Sequence, residues 1–108
     1  MNINTKLKKI RDLLVGLFEH TYHYEASGEL NRYIVWAEDM EGTPFMPTTE
    51  KKETVMQGTI DLYTKTEFDP LVDQIHEAMA ENKIPASISS VQYEDETQLI
   101  HYTWDFEV

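Results

Sequence analysis

The sequence predicts an α+β fold, with two helices packed on one face of a mostly antiparallel four-stranded sheet in the order α-β-β-α-β-β. Three observations carry that expectation. Residues 3–18 space their apolar side chains at helical intervals, residues 69–82 hold an Asp-Pro helix start followed by a second apolar stripe, and residues 98–108 alternate apolar and polar side chains. Amphipathic helices and one-sided strands must bury their apolar surfaces against each other, and two helices laid on one face of a sheet do so.

In the first helix Ile3, Leu7, Ile10, Leu14 and Leu17 form the stripe, widened by Leu13 and Phe18, and Asn2 or Asn4 supplies the cap. Lys6, Lys8, Lys9 and Arg11 follow closely. The lysines near the N-terminus oppose the helix dipole at a cost of roughly a few tenths of a kcal/mol each. These four residues read either as a solvated basic face or as a contact with an acidic neighbour. After a polar stretch containing Tyr22 and Tyr24, Ser27 and Gly28 signal a turn, and Tyr33, Ile34, Val35 and Trp36 read as a short buried strand.

Residues 38–53 fit neither template, with Gly42, Pro44 and Pro47 inside them, and read as a long loop. Met40, Phe45 and Met46 are more than a purely solvated loop needs, so this segment is either a docking arm or a loop whose Phe45 folds back onto its own domain. Residues 54–64 read as a strand with Met56, Ile60 and Leu62 on one face and Gln57, Thr59 and Asp61 on the other, Gly58 marking a bulge. The second helix is capped by Asp69, with Pro70 at its first position and Phe68, Leu71, Val72, Ile75, Ala78 and Met79 as its stripe. It ends near Asn82 before Pro85. Strands at 86–93 and 98–108 flank a turn at 94–97. In the last strand Ile100, Tyr102, Trp104, Phe106 and Val108 alternate with polar residues.

The 108 residues suit one domain over residues 1–108, with no repeat and no interdomain linker. A chain 41% hydrophobic and 27% charged lies far from the composition of disorder, so it should fold. The absence of cysteine removes disulfides and thiol chemistry and fits a reducing compartment, which points to the cytoplasm. Asp12 and Glu19 interrupt the first apolar stretch, against a signal peptide, and no apolar run is long enough for a membrane helix. The formal net charge is -11, yet the first eleven residues carry four of the nine basic side chains and no acid. The remainder is strongly anionic and repels a phosphate backbone, so direct nucleic-acid binding is not expected.

Catalytic chemistry finds no anchor in the sequence. A nucleophile needs a base oriented by a third group, and there is neither a Gly-x-Ser-x-Gly elbow nor a cysteine. His20 and His23, three residues apart beside Glu25, have a weak metal-ligand spacing and read as surface or capping histidines. His76 and His101 read as surface residues. Glu38, Asp39 and Glu41 lack the spaced ligands of a calcium loop, and four scattered glycines build no phosphate cradle. No cofactor, no metal and no enzyme activity are expected. The aromatics Tyr33, Trp36, Tyr93, Tyr102, Trp104 and Phe106 read as core, or as interface where exposed, because base stacking would require positive charge.

The element order, together with Tyr33-Ile34-Val35-Trp36-Ala37-Glu38, Gly58-Thr59-Ile60-Asp61-Leu62-Tyr63-Thr64-Lys65 and Phe68-Asp69-Pro70-Leu71-Val72, resembles the small tail-assembly proteins of long-tailed bacteriophages and prophages, of the tail terminator or tail completion type. The resemblance spans nearly the whole chain and rests on hydrophobic patterns and turn residues. It implies an α+β subunit that closes into a ring, a hexamer in that family, ending the tail tube and joining it to the head. The implied partners are further copies of the chain and tail-tube or head-tail connector proteins, met in the bacterial cytoplasm before incorporation into a particle. On this reading the candidate interface residues are Lys6, Lys8, Lys9, Arg11, Met40, Phe45 and Met46. The alternative is an acidic binding or inhibitor module that mimics nucleic-acid charge.

Overall fold

The structure is a computed structural model and describes residues 2–28, 30–42 and 54–108. Its elements run α1 (Ile3–Leu17), β1 (Thr21–His23), β2 (Arg32–Glu41), β3 (Met56–Thr64), α2 (Pro70–Glu81), β4 (Ala86–Glu94) and β5 (Leu99–Glu107). The α+β class with two helices is as expected, but the sheet has five strands rather than four, ordered β1-β2-β3-β5-β4. The extra strand, β1, is only three residues long and pairs parallel with β2, while every other pairing is antiparallel. A segment that short carries too few residues for alternation to show.

Local chemistry sets each helix. Asn2 caps α1, its side chain accepting from the Thr5 N–H at 2.8 Å. Asp69 caps α2 by accepting from the Leu71 N–H, with Pro70 at the first helical position, as the sequence indicates. At its C-terminus Lys83 takes a left-handed conformation, with φ of 57°. The Lys83 and Ile84 N–H groups then bond back to Ala80 and Met79, and Ile84 is carried into the core.

The sheet register explains the single core. Ile34 lies opposite Leu62, Trp36 opposite Ile60, and Ile60 opposite Trp104, so the even-numbered residues of β3, of β5 and of β2 as far as Glu38 share a face. That face meets Ile10 and Leu14 of α1 and Leu71, Ile75 and Met79 of α2, all essentially inaccessible to solvent. Each such side chain contributes about 1.5–3 kcal/mol by leaving water. Trp104 is wholly buried, and its indole N–H donates to His76 Nδ1 at 3.3 Å.

Two expectations about the middle of the chain need correction. Residues 38–41, expected to open a long loop, extend β2, so that Glu38 pairs with Gly58 and Glu41 with Met56. Charged residues are tolerated there because the strand end is only half covered. Residues 43–53 of the expected loop, including Phe45 and Met46, lie outside the described residues. The bulge expected at Gly58 sits instead on the partner strand, where the register shifts between Glu38 and Met40. Gly58 is needed for close approach: a Cβ there would stand 2.3 Å from the Ala37 carbonyl oxygen and 2.6 Å from Phe106 Cζ.

Candidate functional site

Two surfaces of opposite character stand out, the open face of the sheet and the outer side of α1. On the open face the odd-numbered residues of β3 and β5 align with their neighbours: Tyr63 with Tyr33 and His101, Asp61 with Val35 and Thr103, and Thr59 with Asp105. Three rings form a row, Tyr33 stacked on Tyr63 at 4.6 Å and Tyr63 on His101 at 4.1 Å. His101, expected to be a plain surface residue, is instead held between carboxylates. Its Nε2 lies 2.7 Å from Asp61 Oδ1 and its Nδ1 3.3 Å from Glu94 Oε2. Thr103 donates to the same Asp61 oxygen at 2.8 Å.

Burial pushes the Tyr63 phenol up to about 12, with the negative charges of Asp61 and Glu94 reinforcing the effect. Tyr33 is raised for the same reasons, burial first and then Glu94. Further along the face stand Asp105 and Glu107, the latter accepting from Gln57 at 3.2 Å. By the strand register Asp61, Glu94, Asp105 and Glu107 belong to this face, and none of its described strand residues is Lys or Arg.

The outer side of α1 has the opposite character. Lys8, Lys9 and Arg11 are exposed there, with Lys9 Nζ 3.5 Å from the Asn82 carbonyl and Arg11 Nε donating to Asp12 at 2.9 Å. Lys6, grouped with them on sequence grounds, is only 6% exposed and donates to the Thr54 carbonyl. Its aliphatic stem is buried where a helix meets a strand end, which takes it out of the exposed basic cluster. Met40, by contrast, is 60% exposed and pairs opposite Gln57 at the end of β2.

Between α1 and the β1–β2 edge runs a groove of about 290 Å³, bordered by Lys8, Arg11, His23, Tyr24, Trp36 and Glu38 among others. His23 stacks between Tyr24 and Trp36, with both ring distances 3.9 Å. Glu38 receives His23 Nε2 and the Tyr24 hydroxyl, each at 2.6 Å. Burial alone would raise the Glu38 carboxyl, but the bonds from Tyr24 and His23 outweigh it and hold the group below its ordinary value. His20 and Glu25 do not join His23 in a ligand set, and among the described residues no three His, Asp or Glu side chains are grouped to hold a metal ion.

A third polar cluster clamps β2 and β3 to α2. Asp69 accepts from Arg32 Nε at 2.9 Å and Nη2 at 2.6 Å, and from Thr64 Oγ1 at 2.7 Å, besides capping α2. Arg32 also lies over the Phe18 ring, 4.8 Å from its centroid. Sequence reasoning identified Asp69 as a cap. It missed the partners in all three clusters because Asp61 with His101, Arg32 with Asp69 and His23 with Glu38 are distant in sequence and meet only in the fold.

No family model and no curated protein sequence matches this chain. Solved structures do. One similar structure is a chain from the virion of a native gene transfer agent particle, at 12% sequence identity and a TM-score of 0.50, with 94% of this chain and 87% of that chain covered. At that identity the likeness establishes a shared fold across almost the whole of both chains. Among the described residues no helix is long and apolar enough to cross a membrane.

Proposed function

We propose that this chain is a structural component of a phage-like virion, working without turnover by stoichiometric assembly with other protein chains. The observation that carries the reading is the fold shared with a virion chain over 94% of this sequence. The finer role we assign is that of a tail terminator-like subunit, which self-associates into a ring and docks on a tail tube or head-tail connector. The resemblance in element order and the three hydrophobic segments supports it, as does the segregation of charge between α1 and the open sheet face. A small subunit must offer two different patches to close a ring, and these two surfaces are different. The chain binds protein rather than nucleic acid and assembles in the host cytoplasm.

The test is mass by light scattering or native mass spectrometry across protein concentration and salt. A discrete ring-sized oligomer, most tellingly a hexamer, is the expected result. A strict monomer that also ignores tail-tube protein would overturn the assembly reading. A second reading draws on the lysine- and arginine-free open face: an acidic module occupying a basic site on another protein. It predicts a monomer or dimer that competes with nucleic acid for such a site.

A further inference from the structure

We infer that the open face of the sheet is the docking surface for α1 of a second copy of the chain, so that copies join head to tail. This rests on the assembly reading above and assigns its two surfaces. The open face carries Asp61, Glu94, Asp105 and Glu107 with no Lys or Arg among its described strand residues. The exposed basic side chains of α1 are Lys8, Lys9 and Arg11, set against the single acid Asp12 in that helix. Two chains of net charge -11 repel on average, so a stable contact must place the basic patch of one against an acidic surface of the other.

Shape agrees with charge. A helix of 15 residues is about 22 Å long, and strands of nine residues run about 30 Å, so α1 fits within the length of β3 and β5. The face also offers apolar contact through Tyr33, Tyr63, Val35 and Met40, for which the outer side of α1 presents Val15, 48% exposed. The two surfaces lie on opposite sides of the two-layer fold, because α1 covers the other face of the sheet. The contact is therefore heterologous and propagates from copy to copy until it closes.

The experiment uses the full chain and two charge-reversed variants, Lys8→Glu with Arg11→Glu, and Asp105→Lys with Glu107→Lys. All four positions are exposed and lie outside the core, and circular dichroism with urea unfolding verifies that each variant is folded. Each variant alone is expected to need a concentration about tenfold or more above wild type to assemble. An equimolar mixture restores wild-type mass, because each variant then meets a complementary neighbour. Two folded variants that assemble like wild type, or a mixture that stays dissociated, overturn this surface assignment while leaving the assembly reading intact. Loss of assembly only on Val91→Lys, in the edge strand β4 where Ile88, Val91 and Tyr93 are exposed and Glu94 is the single charged residue, points to sheet-edge pairing instead and likewise overturns it. A wild-type chain that is monomeric at every concentration overturns this assignment, and one that also ignores tail-tube protein overturns both.

Discussion

The two faces of the sheet lie a few ångströms apart on the same strands and are built by different interactions. The covered face is apolar and continuous with both helices: Ile34, Trp36, Ile60, Leu62, Trp104 and Phe106 are 0–2% exposed. Among the described residues no layer covers the open face, and Tyr33, Asp61, Tyr63 and His101 are half-buried by leaning on one another, through stacked rings and a histidine set between two carboxylates. Stability therefore resides on the first face. The second is left free to carry recognition, since exchanging one surface polar group for another costs the fold little.

The sharpest way to break this comparison is Trp104→Ala. It empties a site with no access to water and orphans the bond to His76, and we expect a loss of about 3–5 kcal/mol by urea denaturation. A loss near that of an open-face substitution would show that the faces are not energetically distinct. Asp69→Ala comes next, at about 3 kcal/mol, because it leaves Arg32 and Thr64 without their acceptor and removes the cap of α2. Burial by itself would raise the Asp69 carboxyl, yet the bonds from Arg32, the Leu71 N–H and Thr64 prevail and hold it below its ordinary 3.8. Its folded value being depressed, the stability it contributes is present above pH 3.8 and is lost as pH falls through the lower folded value. The acid limb of the wild-type stability curve should flatten in Asp69→Ala.

On the open face the expected effects are smaller and alkaline. Tyr63→Phe keeps the stacked ring and should cost at most about 1 kcal/mol at neutral pH. The Tyr63 phenol titrates at about 12 in the fold against 10.0 ordinarily, so the unfolded chain ionises first. Stability tied to this group is complete below pH 10.0 and is lost as pH rises towards 12. Tyr63→Phe should shed most of the decline between those values, the remainder belonging to Tyr33 and Tyr24, whose phenols are also raised. An unchanged alkaline limb would mean that the open face contributes nothing through Tyr63.

What the sequence made legible follows the same division. The covered face and both helices could be read because periodicity reports burial directly: the stripe from Leu71 to Met79 and the alternation from Ile100 to Phe106 are each local patterns. Asp69 was readable as a cap because it acts on the residue two ahead. Strand β1 was not, being three residues in parallel pairing with β2. Nor was the end of β2, where Glu38 and Glu41 look like loop until Gly58 and Met56 are seen to pair with them. The open-face cluster was out of reach for a stronger reason. Asp61 and His101 stand 40 positions apart, and only the register of β3 against β5 brings them together. Lys6 shows the converse error, a basic residue assigned to a solvent face by its type and then buried by the strand end that follows the 43–53 segment.

The smallest expected effect tests the boundary between the two faces. Glu38 lies on the covered side of β2 but outside the apolar core, at the groove beside His23 and Tyr24 that α1 also borders. If distance from the core decides the energetics, Glu38→Gln should cost no more than about 1 kcal/mol, like other pairs at a solvent-facing rim. Its consequence should appear in titration instead. The Tyr24 phenol is raised chiefly by its hydrogen bond to the Glu38 carboxylate, then by burial and by that group's charge. Removing the charge should return it toward 10.0, visible as tyrosinate absorbance appearing at lower pH. A loss of more than about 2 kcal/mol would place the His23–Glu38–Tyr24 cluster within the core, beyond the range of rim pairs, and the division would then fall between strands β1 and β2 rather than between the two faces.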